Sequence, residues 1–442
     1  MTGQRADLTF KHNLQQGRHG WLRLTPAYSV KVVQQILASV RPPARVLDPF
    51  SGTGTTGLVC AEQGICCDLV ELNPFLVWLA EAKTRNYTSA EISAAADMAE
   101  NAAALASKDD QSDARWAPPI NHIERWWPPQ RLATLASLLY YLQDQAKDGM
   151  QAACDLWRLA FCRVTIQWSH ASFNHPSMSF RSPQPTLFES QERAAIIADF
   201  RASAHRILSS AAGHLAGGMQ VHLGDSRRVD AVVSGPYDCV ITSPPYPNRV
   251  SYIRELRPYM YWLGYLDKAR EAAELDWEAI GGTWGVATSR LARWKPTEVQ
   301  VCDAGFTRMI EDIGSTSPLL ANYVHKYFLD IAVHLGNLRK RLAPGASVFY
   351  IIGNSKFYDT IVPTDKLYVS LLRQWGFEDI ACEVLRKRNC KKELYEFVVS
   401  GRWAPNDQSS EKLGRDRVQD DISRSAAHPA DDTNTREEAG VL

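Results

Sequence analysis

Residues 44–74, ARVLDPFSGTGTTGLVCAEQGICCDLVELNP, constrain the architecture of this chain more than any other stretch. A short apolar run ends in Asp48, a Gly-rich turn opens a helix that stops at Gly64, and a second apolar run ends in Glu71. Two apolar strands joined through one helix lie parallel, and such crossovers are right-handed. This predicts an α/β fold with a doubly wound, mostly parallel sheet. Further strands are predicted in MQVHLGDS (219–226), YDCVITSPPY (237–246) and ASVFYIIGNS (346–355). Two late strands, FEDIACEVLRK and ELYEFVVSG, read as an antiparallel hairpin on the same sheet. Helical periodicity covers 26–40, 318–342 and 364–375.

The α/β rhythm breaks over 86–215, which is rich in Ala and Trp and reads as a helical insertion, with helices over 123–145, 155–169 and 191–216. The expected organisation is a first part of the sheet domain (1–85), the insertion, a second part (216–403) and a polar tail (404–442) too poor in apolar groups to fold. Lys plus Arg equals Asp plus Glu at 49 each, so net charge points to no nucleic acid and any basic surface must be local. The first residues lack the apolar core of a secretory signal, and no apolar run reaches membrane-spanning length. Nine Cys without a CxxC pair fit a reducing cytoplasm and argue against disulfides or structural zinc. His170 and His175 have no Cys or acid cluster nearby, so no metal site is expected.

Ligands of such sheets bind beyond the strand carboxyl ends, at the switch point. Those ends are Asp48, Glu71, Asp225 and Ser243. In the turn after Asp48, glycines 52 and 54 let a ligand approach the backbone. No Lys follows them, so this is not a phosphate-binding P-loop. An acid before the loop would repel phosphate and suit a cationic amine. An acid at Glu71 suits ribose hydroxyls, and Asp225 can accept from an adenine amino group. Amine, ribose and adenine together indicate S-adenosylmethionine.

The stretch TSPPY (242–246) ends the fourth strand. Its two prolines forbid helix and ladder and stiffen the backbone. The Ser243 hydroxyl and the carbonyl between the prolines can each accept an N–H of a planar exocyclic amine. That would bias the nitrogen toward pyramidal geometry, freeing its lone pair for a sulfonium methyl, while Tyr246 stacks on the heterocycle. The chemistry is positioning and electrostatics. Carbon-5 methylation of cytosine uses a Cys nucleophile, generally in a Pro-Cys pair, and this chain has none.

VLDPFSGTGTTG and TSPPY in one chain resemble the amino-methylating DNA methyltransferases that use S-adenosylmethionine; the likeness spans roughly 19–85 and 219–400. The resemblance implies a Rossmann-like methyltransferase fold. It implies that Pro49, Phe50, Ser51, Gly52 and Gly54 form the cofactor loop behind Asp48, that Glu71 holds the ribose and that Asp225 holds the adenine edge. Ser243, Pro244, Pro245 and Tyr246 would be the catalytic motif. HGWLRLTPAYS (19–29) is similar to the family's methionine-side element, and RKRNCKKELYEFVV looks like its basic closing hairpin. Ser at the head of the motif goes mostly with cytosine N-4, and Asp or Asn with adenine N-6. The implied partners are double-stranded DNA and, in a restriction–modification or defence system, a cognate restriction endonuclease. The order of the two motifs and the helical insertion depart from many cytosine-amino enzymes. They leave target recognition to 86–215 or to 247–315. A target amine must be flipped out of the helix. Expected DNA contacts are Asn248, Arg249, Tyr252 and Arg254 after the motif, and Arg386, Arg388 and Lys391 in the basic run. Adenine N-6 methylation, the same chemistry on RNA or protein glutamine, and a non-catalytic binding subunit are the alternatives.

Overall fold

Seven strands form the central sheet: β1 (Arg45–Asp48), β2 (Cys66–Glu71), β3 (Met219–Leu223), β4 (Tyr237–Thr242), β5 (Leu342–Gly353), β6 (Phe377–Asn389) and β7 (Leu394–Trp403). The computed structural model describes residues 5–24, 27–108, 115–145, 150–172, 179–180, 189–283, 285–389 and 393–405. The strand order is β3-β2-β1-β4-β5-β7-β6. The first five strands pair in parallel, and β7 joins β5 and β6 in antiparallel register. This is the mostly parallel, doubly wound sheet that the sequence predicts, with the terminal hairpin added at one edge. The chain runs outward from β1 to β3, then returns to place β4 on the other side of β1. The loops after β1 and β4 therefore diverge and leave a crevice at the switch point.

Strand alternation builds two cores at once, because neighbouring side chains point to opposite faces. Val46, Leu69, Ile241 and Ile351 pack with Val33 and Leu37 of helix Val30–Ser39 and Val59 of helix Thr55–Glu62. Their sequence neighbours Leu47, Val70, Val240 and Ile352 pack on the other face with helices Pro318–Leu338 and Thr364–Gln374. Each fully buried Val, Leu or Ile contributes about 1.5–3 kcal/mol.

Among the described residues of 86–215 four long helices stand out, Ser89–Lys108, Pro129–Gln145, Gln151–Gln167 and Glu189–Ala211, beside a short antiparallel pair, Ala171–Ser172 with Ser179–Phe180. They share one apolar cluster with Phe75 and Trp78 of helix Pro74–Thr84 and with Tyr259 and Trp262 of helix Tyr252–Trp262. Trp127, Trp157 and Trp262 lie fully inside it. Arg18 fastens the same junction, donating to the carbonyls of Lys83 at 3.1 Å, Ala211 at 2.6 Å and Gly213 at 2.6 Å. Residues 1–404 group accordingly into one compact unit.

Several helix boundaries differ from expectation, among them those of the helices expected over 155–169 and 191–216, which run Gln151–Gln167 and Glu189–Ala211. The helix predicted from 26 begins at Val30, with the Ser29 hydroxyl accepting from Lys31 N. The one predicted from 123 begins at Pro129, because Pro128 and Pro129 remove two backbone donors and leave Ile123–Arg125 as an isolated 3-10 turn. The helix predicted to run to 342 ends at Leu338. The expected tail, from 406 onward, and most of the polar loop with His175 lie outside the described residues.

Candidate active site

A cavity of about 720 Å³ lies beyond the carboxyl ends of β1, β2 and β4. Pro49, Phe50, Ser51, Gly52, Glu71, Asp225 and Ser243 through Tyr246 all line it. Residues separated by almost 200 positions thus meet in one site.

The loop after β1 is held from three sides. Ser51 N donates to the Val70 carbonyl at 3.0 Å, and Gly52 N to Glu71 Oε2 at 2.9 Å. Glu71 Oε1 accepts from Asn73 N at 2.9 Å, so one carboxylate joins the ends of β1 and β2. Gly54 turns the chain at φ +75°, and a Cβ there would sit 3.0 Å from the Ala80 Cβ. It lets the loop rest on helix Pro74–Thr84 but does not itself line the cavity. From that helix the buried Lys83 donates to the Thr53 carbonyl at 3.0 Å. Burial pulls Lys83 down to about 7 and pushes Glu71 up to about 7 against its backbone donors.

Asp48 corrects the sequence reading. It is fully buried and does not line the cavity, so it cannot face a cationic amine. Its carboxylate accepts from Thr242 Oγ1 at 2.6 Å, Tyr28 OH at 3.2 Å and Phe50 N at 3.1 Å. It ties β1 to β4 and to the segment before the first helix. Desolvation raises its pKa. Asp225 does line the cavity. Its carboxylate is oriented by Arg227, at 2.7 Å from Nη2 and 2.8 Å from the backbone N–H, and Arg227 also meets Asp330 at 3.3 Å. The buried Ser51 Oγ has no hydrogen-bond partner among the described residues.

Ser243 Oγ donates to the Ile351 carbonyl of β5 at 3.0 Å. A carbonyl only accepts, so the serine donates in this bond; its oxygen also meets the Tyr246 hydroxyl, which leaves one lone pair open as an acceptor. The Pro245 carbonyl accepts from Tyr327 OH at 2.8 Å, and Tyr327 meets Tyr368 OH at 3.0 Å. Among the described residues no donor takes the Pro244 carbonyl. The Arg388 guanidinium lies over the Tyr246 ring at 5.3 Å. Gly353 backs that ring so closely that an added Cβ would be 2.8 Å from Tyr246 Cδ2 and 2.9 Å from Arg388 Cζ. Gly353→Ala must therefore displace the ring or the guanidinium. We expect about a 10- to 100-fold loss of kcat/KM with little change in melting temperature. Steady-state kinetics beside a thermal melt check it.

No protein-family profile matches the sequence. The type II methyltransferase M.AvaI of Nostoc sp. is 20% identical over 399 residues, covering 84% of this chain and 82% of the relative. M.AvaI of Anabaena variabilis aligns to the same extent. The type II methyltransferase M.SmaI of Serratia marcescens is 48% identical over 48 residues, 11% of this chain and 16% of its own. Over most of its length this chain is similar, at low identity, to type II methyltransferases. The solved rRNA methyltransferase aviRa from Streptomyces viridochromogenes aligns over 89% of this chain and 96% of its own at 13% identity, with a TM-score of 0.26, too low to argue from.

The residues expected to touch DNA divide. Asn248 and Tyr252 line the cavity, and Asn248 Oδ1 accepts from Val250 N at 3.1 Å. Arg249 and Arg254 do not line it; Arg249 is exposed, with its backbone N–H on Tyr323 OH, and Arg254 Nε is buried. Arg386 is no solvated basic group. It makes a two-pronged pair with Glu396 at 2.6 and 2.7 Å, and both line the cavity. Arg388 also turns inward, onto Tyr246 and the Asn354 carbonyl. Lys391 lies outside the described residues. No group of His, Cys, Asp or Glu among the described residues could hold a metal, and no described helix is long and apolar enough to cross a membrane.

Sequence reasoning missed Tyr28, Lys83, Thr242, Tyr327 and Glu396. Two signals were available. Lys83 is a lone cation in the apolar stretch PFLVWLAEAKT, and Arg386 and Arg388, two apart on a strand, share a face that an acid on the paired strand can meet.

Proposed function

We propose that this chain is an S-adenosylmethionine-dependent DNA methyltransferase acting on the exocyclic amine of a flipped base, cytosine N-4. We further propose that it works in the cytoplasm within a restriction–modification or defence system, beside a cognate restriction endonuclease. One observation carries the reading. Ser243 Oγ, its proton committed to Ile351, presents an acceptor beside the Pro244 carbonyl in the same cavity as the Gly-rich loop.

The residues present fit the cofactor. At Gly52, φ +51°, a Cβ would meet nothing nearer than the Phe50 carbonyl oxygen at 4.0 Å, so a ligand can approach the backbone there. The buried, unpartnered Ser51 hydroxyl and the Glu71 carboxylate offer polar partners along the same wall. In this reading Glu71 takes the ribose hydroxyls, Asp225 the adenine amino group, and the Pro49–Gly52 backbone the remainder. Bound S-adenosylmethionine supplies a methyl group activated by its sulfonium. The Ser243 oxygen and the Pro244 carbonyl accept the two N–H bonds of the target amine and draw electron density toward nitrogen. Tyr246 packs against the heterocycle. The methylated amine releases its proton to water, so no side-chain base is required. The work is orientation and fixed dipoles.

Cofactor affinity should depend on pH in a defined direction. Glu71 titrates at about 7, and hydroxyl donors prefer the ionised carboxylate. Affinity for S-adenosylmethionine is therefore expected to tighten as pH rises through about 7 and to weaken below it. Lys83 titrates in the same window and Asp48 is raised as well, so the Glu71→Gln variant isolates the contribution. Calorimetry from pH 5.5 to 8.5 should give a sloped profile for the native chain and a flatter, weaker one for Glu71→Gln. An equally sloped profile in the variant removes Glu71 from the ligand.

The reading as a whole is tested by incubating the protein with methyl-labelled S-adenosylmethionine and DNA, RNA or protein fractions. Label in DNA is expected. Label confined to RNA or protein would move the substrate and keep the fold.

A further inference from the structure

Arg386 of β6 and Glu396 of β7 are register partners in the terminal hairpin. Their side chains are 17% and 11% exposed, and both line the cavity. They stand at its catalytic end: the Glu396 charge acts on both Tyr246 and Tyr252, and Arg388, two residues along β6, covers the Tyr246 ring. A surface ion pair needs no such placement. Glu396 takes the Nε edge of the guanidinium, with Nε at 2.6 Å and Nη2 at 2.7 Å. Arginine carries five N–H donors in a planar fork, so the Nη1 edge keeps donors in a plane that Glu396 fixes.

We infer that the Arg386–Glu396 pair reads the Watson–Crick edge of the flipped base and favours cytosine over adenine. The inference rests on the amino-methyltransferase reading above. Cytosine carries two adjacent acceptors, N3 and O2, next to its amine. A guanidinium fork matches two adjacent acceptors, as it does at guanine in DNA grooves. Adenine offers N1 beside its amine, and then a C–H. With the amine held by Ser243 and Pro244, the next groups on the ring edge meet Arg386 as two acceptors for cytosine and one for adenine. Glu396 acts as a positioning residue: it holds the fork in plane and balances its charge where neither group is well hydrated.

The test uses the full chain on unmethylated plasmid DNA, with methylated nucleosides quantified by mass spectrometry. Arg386→Met is expected to cut N-4-methylcytosine formation about 10- to 100-fold, chiefly through KM for DNA. The ratio of N-4-methylcytosine to N-6-methyladenine should fall with it. Arg386→Lys should not restore the ratio, because an ammonium lacks the fork. Arg386→Met leaves Glu396 buried without its partner and risks misfolding. The double variant Arg386→Met/Glu396→Leu removes both charges and keeps the packing volume, and it should show the same loss with an unchanged cofactor Kd. An unchanged cytosine rate and base ratio in the folded double variant overturns the inference. So does a loss matched by weakened cofactor binding, which marks a purely structural pair. Failure of the underlying reading looks different: the native chain itself would label no DNA.

Discussion

Ser243→Ala is expected to lose about 100- to 1000-fold in kcat while its Kd for S-adenosylmethionine stays within about twofold. The size follows from what the hydroxyl does. Its proton is held by the Ile351 carbonyl at 3.0 Å, so its oxygen is a fixed acceptor rather than a rotor. Alanine removes one of two acceptors aimed at the amine, which corresponds to about 3–4 kcal/mol of transition-state stabilisation. The same change leaves the Ile351 carbonyl without its donor, at about 1 kcal/mol of stability, too little to unfold the chain. The Gly-rich loop follows β1 and takes its bonds from β2, so cofactor affinity should not change. Single-turnover methyl transfer beside equilibrium cofactor binding separates the two. Normal transfer by Ser243→Ala would remove Ser243 from the mechanism.

Asp48→Ala is expected to destabilise the protein by about 3–5 kcal/mol. The carboxylate is buried and accepts from Thr242 Oγ1, Tyr28 OH and Phe50 N. Alanine removes the acceptor of Thr242 Oγ1 and Phe50 N, while Tyr28 OH keeps the Thr56 hydroxyl, and each unmet buried donor costs about 1–3 kcal/mol. Asp48→Asn keeps one carbonyl oxygen and should cost roughly half as much. Denaturant unfolding measures both. Because Phe50 N lies in the loop itself, the alanine variant should also bind S-adenosylmethionine at least tenfold more weakly, since the loop is no longer pre-organised. Unchanged stability would mean that Asp48 is not the tie between β1 and β4.

The sequence made the skeleton of this site legible through residues that only one backbone geometry tolerates. Gly52 and Gly54 mark a turn at positive φ, and the prolines of TSPPY end β4 where the ladder must end. Acids at strand ends fell at the cavity because the topology puts every parallel strand's carboxyl end on one edge. The direction each acid faces was not legible. β1 is buried on both faces, so apolar alternation gives no parity, and Asp48 turned inward while Glu71 reached the cavity edge. Arg386 and Arg388 read as DNA contacts in a basic run because their partners, Glu396 on β7 and Tyr246 in the loop after β4, come from other segments. The pairing of β6 with β7 brings Arg386 to Glu396, and the loop after β4 brings Tyr246 under Arg388. Helical periodicity identified the helices of 86–215. It could not tell that Trp127 and Trp157 share a core with Phe75 and Trp262, since an apolar face does not name its partner.

The most direct measurement is the identity of the methylated nucleoside. Plasmid DNA from a host without methylation is incubated with the protein and methyl-labelled S-adenosylmethionine, digested, and resolved by mass spectrometry. Labelled N-4-methylcytosine, absent with Ser243→Ala, is the predicted result. Labelled N-6-methyladenine in its place would contradict the cytosine assignment and the role given to Arg386. DNA without label, in a protein that binds the cofactor, would contradict the central claim.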